Sequence, residues 1–492
     1  MKKIFLKMLS LTVALLMIAI VFVSCQEDDI ISADDSSVDN SGEQTSPNEE
    51  KITLNAFEFY EKINDAMGAV QSYKLDSTIN MSISIPDYDI KVKADGTMCS
   101  IESGIGTDDY YSLNEQTFVT TMTMGTDVSK TTSTSMEGFQ NGRMFVMNDS
   151  DESSSYKAQK LYSDISVADY VAYDKSHDDG DMDFDIDTDT CKNATCSYDD
   201  KSKEWVGIYK GFTDDAKEEF DFGFSDLSYM MGDDYVFSDI EIRMVTDDSF
   251  IVKSIKFNYI FDYVGDAAEN KANAPHVSMS MTCSGVNSTP KGKIVDLSGY
   301  TKVDDLRILD AVDEALEDRA EEKSGWFTFS SELTNSEGTA EESYTYRYSH
   351  KTDGSLVYTL VYKSDDGNFN ISYSQGKATI TYPNYGTQVI DSTDDVELQG
   401  IRAYIDYCDF STSDVTNIEV VDEENGVYRF VIGNVDMDIA ESVVEDPNGS
   451  RCSQYFTFTL KDGALMKYEC TVNAVSNSGA TGSLSTICEF VS

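Results

Sequence analysis

Histidine is scarce in this chain: His177, His276 and His350 are the only three in 492 residues. His177 lies in an acidic stretch, His276 follows Pro275 at the start of a strand, and His350 ends a strand before a turn. Gly-x-Ser-x-Gly, His-Glu-x-x-His and a Gly-rich phosphate loop are all missing. Those spacings carry nucleophile, zinc and nucleotide chemistry. Their absence argues against an enzyme, and nothing in the chain calls for a cofactor. Basic residues are also few. There are 37 Lys and Arg against 89 Asp and Glu, a formal net charge of −52. Nucleic acid needs a basic surface, so it is excluded as a partner. Anionic headgroups repel such a body. The plainest consequence of the charge is solubility. After residue 25 no apolar run is long enough to span a bilayer.

What is present begins at the N-terminus. Lys2, Lys3 and Lys7 precede an apolar run from Met8 to Val23, which closes on Phe22-Val23-Ser24-Cys25. A basic start, an apolar stretch and a small residue at the cut make a secretory signal. The run is shorter than the roughly 20 residues of a spanning helix. The segment resembles the lipobox of bacterial lipoproteins, with Phe22 where Leu, Val or Ile is usual. Cleavage then falls between Ser24 and Cys25, and Cys25 carries the lipid. The competing reading is an uncleaved anchor, or an ordinary signal with a chance cysteine. Two acyl chains on one cysteine hold stably where one does not. The mature protein is expected on the extracytoplasmic face of a bacterial cell membrane. Residues 1–24 form the signal peptide; 25–51 form the lipidated cysteine and an acidic, Ser-rich linker with no basic residue before Lys51. Such a segment buries too little to fold, and its like charges extend it.

Beyond the linker, Ala56, Phe59, Tyr60, Ile63, Met67 and Val70 recur at helical spacing, with Asn55 as a candidate N-cap. A strand follows, with Leu75, Ile79, Met81, Ile83 and Ile85 at period two. Turn pairs such as Asp95-Gly96 and Asn141-Gly142 divide the strands after it. The pattern then restarts. Leu306, Leu309, Val312 and Leu316 mark a second amphipathic helix, and Trp326, Phe327 and Phe329 open a strand. Turns at Asp353-Gly354, Asp366-Gly367, Asn425-Gly426 and Asp462-Gly463 punctuate the rest. Val167-x-x-Tyr170-Val171-x-Tyr173 matches Ile401-x-x-Tyr404-Ile405-x-Tyr407, both as short helices. The closing strands match too: Val277, Met279, Met281 and Cys283 against Leu484, Thr486, Cys488 and Phe490. An internal duplication follows, with repeats at 52–298 and 299–492. In the segment 355–363, Leu356, Tyr358, Leu360 and Tyr362 share one face, and Val357 and Val361 the other. That predicts a strand covered on both sides.

Helix, long antiparallel meander, short helical interruption, closing hairpins: this order resembles the lipoprotein-carrier superfamily (LolA-like, LppX/LprG-like) and related Gram-positive lipoproteins. The stretches that carry it are Glu61-Lys62-Ile63-Asn64-Asp65-Ala66-Met67 with Ser72-Tyr73-Lys74-Leu75, and Asn141-Gly142-Arg143-Met144-Phe145-Val146. The resemblance implies an α+β fold: two tandem domains, each a curved antiparallel sheet, an incomplete barrel, around an N-terminal helix. It also implies an apolar cavity able to hold acyl chains. Function is then non-catalytic binding of an acyl chain or other apolar ligand; the alternative is a surface interaction protein with solid domains.

Three further groups of residues invite chemistry. The run Asp178 to Asp189 alternates carboxylates, and Asp181, Asp183, Asp185 and Asp187 on one face make a candidate calcium site. The same alternation is explained by an exposed strand with Met182, Phe184 and Ile186 inward. Eight cysteines follow Cys25. Cys191 and Cys196 face each other if the segment between them is a tight hairpin. Cys470 and Cys488 face each other across a hairpin centred near Gly479. Each pair is either a disulfide or two buried thiols. A turn at Asp462-Gly463 puts Cys452 and Cys470 on opposite faces, so they should not pair. Methionine is uneven: fourteen in the first repeat, two in the second, Met437 and Met466. Met81, Met122, Met124, Met144, Met279 and Met281 fall in strand-like segments. They suit either ordinary core filling or an adaptable apolar pocket.

Overall fold

A computed structural model of the chain describes residues 54–85, 90–151, 156–176, 186–218, 235–263, 276–288, 292–336, 338–351, 355–364, 367–375, 377–383, 386–391, 411–435, 443–444 and 450–490. Helix α1 (Ala56–Gly68) begins as the sequence predicts. The Asn55 side chain accepts from the Phe57 amide at 3.0 Å, and Glu58 reaches back to the Asn55 amide. This capping box satisfies donors that the first turn would otherwise leave open. Ala56, Phe59, Tyr60, Ile63 and Met67 form its buried stripe.

Strands β1 (Ser72–Ile85), β2 (Ile90–Ser103), β3 (Tyr111–Met124), β4 (Asp127–Gln140), β5 (Arg143–Ser150) and β6 (Gln159–Asp164) form the first run. After helix α2 (Val167–Ser176) come β7 (Cys191–Asp199), β8 (Glu204–Phe212), helix α3 (Asp214–Glu218), β9 (Tyr235–Thr246), β10 (Val252–Tyr263), β11 (His276–Ser284) and the short β12 (Thr301–Lys302). Helix α4 (Ile308–Glu321) opens the second run: β13 (Ser324–Asn335), β14 (Gly338–His350), β15 (Leu356–Ser364), β16 (Gly367–Ser374), β17 (Lys377–Tyr382) and β18 (Gly386–Asp391). It closes with β19 (Val415–Asp422), β20 (Val427–Ile432), β21 (Ser450–Lys461), β22 (Ala464–Ser476) and β23 (Thr481–Phe490).

Topology exposes the duplication. The first sheet runs β12-β6-β5-β4-β3-β2-β1-β11-β10-β9-β8-β7; the second runs β18-β17-β16-β15-β14-β13-β23-β22-β21-β20-β19. Apart from β12, which pairs in parallel with β6, the two orders are identical. In each, the last strand returns to lie beside the first, β11 on β1 and β23 on β13. Consecutive positive φ values at Asn141-Gly142 (51° and 74°) and Asp462-Gly463 (52° and 84°) make the tight turns whose twist suits antiparallel hairpins.

The α+β expectation is overturned. Both sheets are large, and helices occupy a small share of the described residues. Geometry explains why no sheet wraps around a helix. Strands β1 to β4 are each 14 residues, about 46 Å long. Helix α1 has 13 residues, about 20 Å. It packs on β7 and β8, and α4 on β21 and β22. Each helix therefore covers part of one sheet and cannot serve as its axis. The two-sided cover expected of β15 is also absent. Leu356, Tyr358 and Leu360 are buried, but Val361 on the other face is 38% exposed.

Two compact units emerge. One comprises Met1–Met144, Ser150–Ser154 and Ile165–Val295; the other comprises Phe145–Asp149, Ser155–Asp164 and Asp296–Ser492. In the second unit the Gln159 side-chain amide donates to the backbone oxygens of Thr412 at 2.6 Å and Val415 at 2.9 Å. The Leu306 amide donates to Ser163 Oγ at 3.2 Å. These bonds fasten β6 to the start of β19 and to the turn before α4.

Candidate functional site

In the first unit, one end of the sheet is filled by α1. Phe59 and Ile63 are wholly buried. The Phe59 ring lies 6.3 Å from Trp205 and 6.2 Å from Phe250, and Trp205 stacks on Phe250 at 6.0 Å. These separations suit favourable ring packing. Gly207 on β8 permits it, because a Cβ there would meet the Phe59 ring at 2.7 Å. Tyr209 Oη donates to the Ala56 carbonyl at 2.8 Å, tying β8 to the helix start. Burial raises the Tyr209 hydroxyl far above its ordinary pKa. This end is solid.

The other end of the same face is different. Phe261 lies four residues along β10 from Phe257, about 13 Å away. There Phe237 pairs with Phe261, Ile83 with Val92, and Val92 with Met122. One pair nearer the helix, Tyr259, Val277 and Met81 join these two groups across β10, β11 and β1. Ile83 and Val92 are buried; Met122, Met124, Phe237 and Phe261 are partly buried against the core. The Phe237 ring is 5.9 Å from both Tyr259 and Phe261. The result is an apolar lining across six strands, rich in methionine on β3 and in aromatic rings on β9 and β10. The period-two methionines were legible in sequence; Phe237 was not. A register shift between Ile260 and Phe261 turns it inward.

The predicted site residues fare unevenly. Ser24 and Cys25 lie outside the described residues, as do His177, Asp181, Asp183, Asp185 and the 401–407 motif. Asp187 is described, and its carboxylate is already engaged. It accepts from the amides of Asp189 and Thr190 at 2.8 and 2.9 Å, and from the Thr190 hydroxyl at 3.1 Å. The Thr190 amide leads in holding its pKa below the usual carboxylate range. Ile186 beside it is buried, but residues 187–190 form a turn before β7 and not the exposed strand that the alternation suggests. No group of three or more His, Cys, Asp or Glu suited to a metal occurs among the described residues.

The cysteine geometry departs from expectation in three places. Cys191 and Cys196 both sit on β7, opposite Phe212 and Gly207 of β8. The hairpin therefore closes beyond them. Five residues apart on one strand is about 17 Å, too far for a disulfide. Cys470 and Cys488 do lie on neighbouring strands, but Cys470 pairs with Thr486 and Cys488 with Tyr468. That diagonal offset places Cβ atoms beyond disulfide range. A bulge between Thr459 and Leu460 shifts the register after the Asp462-Gly463 turn. It brings Cys452 and Cys470 onto the same face, contrary to the alternation counted from the turn. The Gln454 amide between them donates to Cys470 Sγ at 3.5 Å. Cys99, Cys191, Cys196, Cys283, Cys470 and Cys488 are free thiols. Burial pushes Cys196 and Cys283 up to about 11 and Cys488 up to about 12, so they are poor nucleophiles.

Of the described histidines, His276 Nε2 lies 3.4 Å from Ser278 Oγ on an exposed strand surface, and His350 Nδ1 lies 3.1 Å from the Lys323 carbonyl. Neither contact has the third group that orients a catalytic base. In the second unit a groove of about 450 Å³ is lined mainly by Ser330, Glu332, Glu341, Ser343, Lys363 and Ser485. Its polar walls do not suit an acyl chain. No helix among the described residues is long and apolar enough to cross a membrane.

No family model matches the chain, and no curated protein matches it. Among solved structures it is similar to LprF from Mycobacterium bovis, at 11% identity over 49% of this chain and 96% of that chain, with a TM-score of 0.21. It is also similar to a DUF1329 family protein from Desulfovibrio piger, at 9% identity over 37% of this chain and 89% of that chain, with a TM-score of 0.16. TM-scores this low leave function to be argued from the chain's own residues.

Proposed function

We propose that the protein is a lipid-anchored extracytoplasmic binding protein without catalytic activity. It holds an acyl chain or other apolar ligand against the far end of the first sheet. The observation that carries this reading is the apolar lining formed by Phe237, Phe261, Ile83, Val92 and Met122, beyond the part of the sheet that α1 fills. Methionine side chains adapt to ligands of irregular shape. Cys25 and the acidic linker support the placement: two acyl chains in the membrane, an extended spacer, and an anionic body held off the surface.

The test is displacement of a fluorescent fatty-acid probe. Met122→Glu and Phe237→Glu bring a carboxylate into the lining, and an unpaired buried charge is costly. Each should weaken probe binding by about tenfold or more, equivalent to ~1.4 kcal/mol. Val128→Glu on β4, at a side chain 65% exposed, should leave binding unchanged. A wild-type protein that ignores the probe sinks the proposal, as do lining variants that bind normally. The second reading is an interaction protein with solid domains. It is favoured by the aromatic packing around Phe59 and gains if no apolar ligand is found.

A further inference from the structure

The second sheet carries a row of directly opposed aromatic rings on five adjacent strands. Phe329, Tyr344, Tyr362, Phe369 and Tyr382 follow one another at centroid separations of 5.5, 4.9, 4.6 and 5.9 Å. Phe329 is buried, the middle three are partly buried, and Tyr382 is 37% exposed. The row thus emerges from the core and reaches solvent near the sheet edge. There its last ring stands opposite a glycine. Tyr382 pairs with Gly386 of edge strand β18. A Cβ built on Gly386 would meet nothing within 4 Å, and its φ of +88° disfavours any side chain. Phe369 packs against Tyr382 at a ring angle of 50°, and Gly386 opposite adds no side chain beside it. Gln388, exposed and two residues further along β18, stands on the same face opposite Ile380. Within the row, Glu342 accepts from the hydroxyls of Tyr344 at 3.1 Å and Tyr362 at 3.4 Å.

We propose that this edge is a binding site for a neutral glycan, with Tyr382 as the stacking shelf and Gln388 as the hydrogen-bonding group beside it. The chemistry discriminates among occupants. A sugar ring has a C–H face that packs on an aromatic ring and hydroxyls that pair with an amide or carboxylate. An acyl chain would leave the Gln388 amide without use. A body with a formal net charge of −52 and a carboxylate within the ring row repels polyanionic sugars. This site lies on the second unit and does not depend on apolar-ligand binding by the first.

Saturation-transfer NMR and calorimetry on the full-length protein in detergent test it. The probes are chitohexaose (N-acetylated), cellohexaose and maltohexaose as neutral oligosaccharides, with polygalacturonate as the polyanion. At least one neutral probe should bind with a dissociation constant of about 1 mM or tighter, and polygalacturonate should not bind. Tyr382→Ala should weaken binding by about tenfold, while Tyr382→Phe, which keeps the ring face, should stay within about twofold. Gln388→Ala, at an exposed edge position, should weaken it several-fold. The proposal is overturned if no neutral probe binds, if Tyr382→Ala and Gln388→Ala bind like wild type, or if polygalacturonate binds best. It is also overturned if the edge instead seats a second copy, seen as a dimer that Tyr382→Ala dissolves.

Discussion

Among the described carboxyl groups of the second unit, Asp313 is the one whose ionisation is resisted most clearly. It sits on α4, and burial raises its pKa to about 6, against a hydrogen bond from Thr412 that lowers it and the Glu317 carboxylate that adds to the rise. An unfolded chain ionises the same carboxyl near the ordinary value of 3.8. Between about pH 4 and pH 6 the folded state therefore binds more protons than the unfolded state. Stability contributed by this group falls as pH rises through that window and levels off above about 6. The rise from 3.8 to about 6, at about 1.36 kcal/mol for each tenfold change in proton affinity, sets a ceiling of about 3 kcal/mol. Partial exposure reduces this to ~1–2 kcal/mol. Asp313→Asn removes the titration and keeps a partner for Thr412. It should stabilise the second unit by ~1–2 kcal/mol at pH 7.5 and by much less at pH 4.5. Urea unfolding followed through Trp326, with Trp205 replaced by Phe, reads that unit. The reasoning is refuted if the variant is no more stable than its parent at pH 7.5, or if the gain is the same at both pH values.

Other perturbations probe the packing. Phe59→Ala should cost the first unit about 3–5 kcal/mol, measured by the same urea titration with Trp205 as the reporter. Gly207→Ala pushes a methyl into that ring and should cost ~1–3 kcal/mol through overpacking; a neutral result would mean that α1 sits further from β8. Asn55→Ala should cost about 1 kcal/mol by uncapping α1, read as a lower Tm. Thiol titration of the denatured, unreduced protein should find Cys191, Cys196, Cys470 and Cys488 all free. A gain of thiols on reduction at any of these positions would contradict the strand register.

Local periodicity and part of the turn chemistry are legible in the sequence, but Asp95-Gly96 is no turn: it lies inside β2, opposite Asn80 and Ile79. Asn55 and the Phe59–Ile63–Met67 spacing located α1, and Asn141-Gly142 and Asp462-Gly463 located hairpins. The matched closing strands announced a duplication that the two sheet orders repeat strand for strand. What failed was set by non-local balance. Fold class is not legible, because helical spacing reveals that a helix exists and not how much of a 14-residue strand it can cover. The Cys452 face was misplaced by a bulge, since one extra residue reverses the alternation. Cys191 and Cys196 looked like a hairpin because the true turn, at residues 200–203, lacks a strong turn pair. At the candidate sites, the methionines were visible as a pattern. The placing of Tyr382 opposite Gly386 needed the β17–β18 register.

Native mass spectrometry of the ectodomain from Gln26 onward, purified from its host and paired with lipid extraction, tests the central claim most directly. A binding protein of the proposed kind should carry an extractable lipid or similar apolar molecule, released by denaturation and depleted in Phe237→Glu. A protein of bare mass, with nothing apolar in the extract and no uptake of a fatty-acid probe, would contradict it.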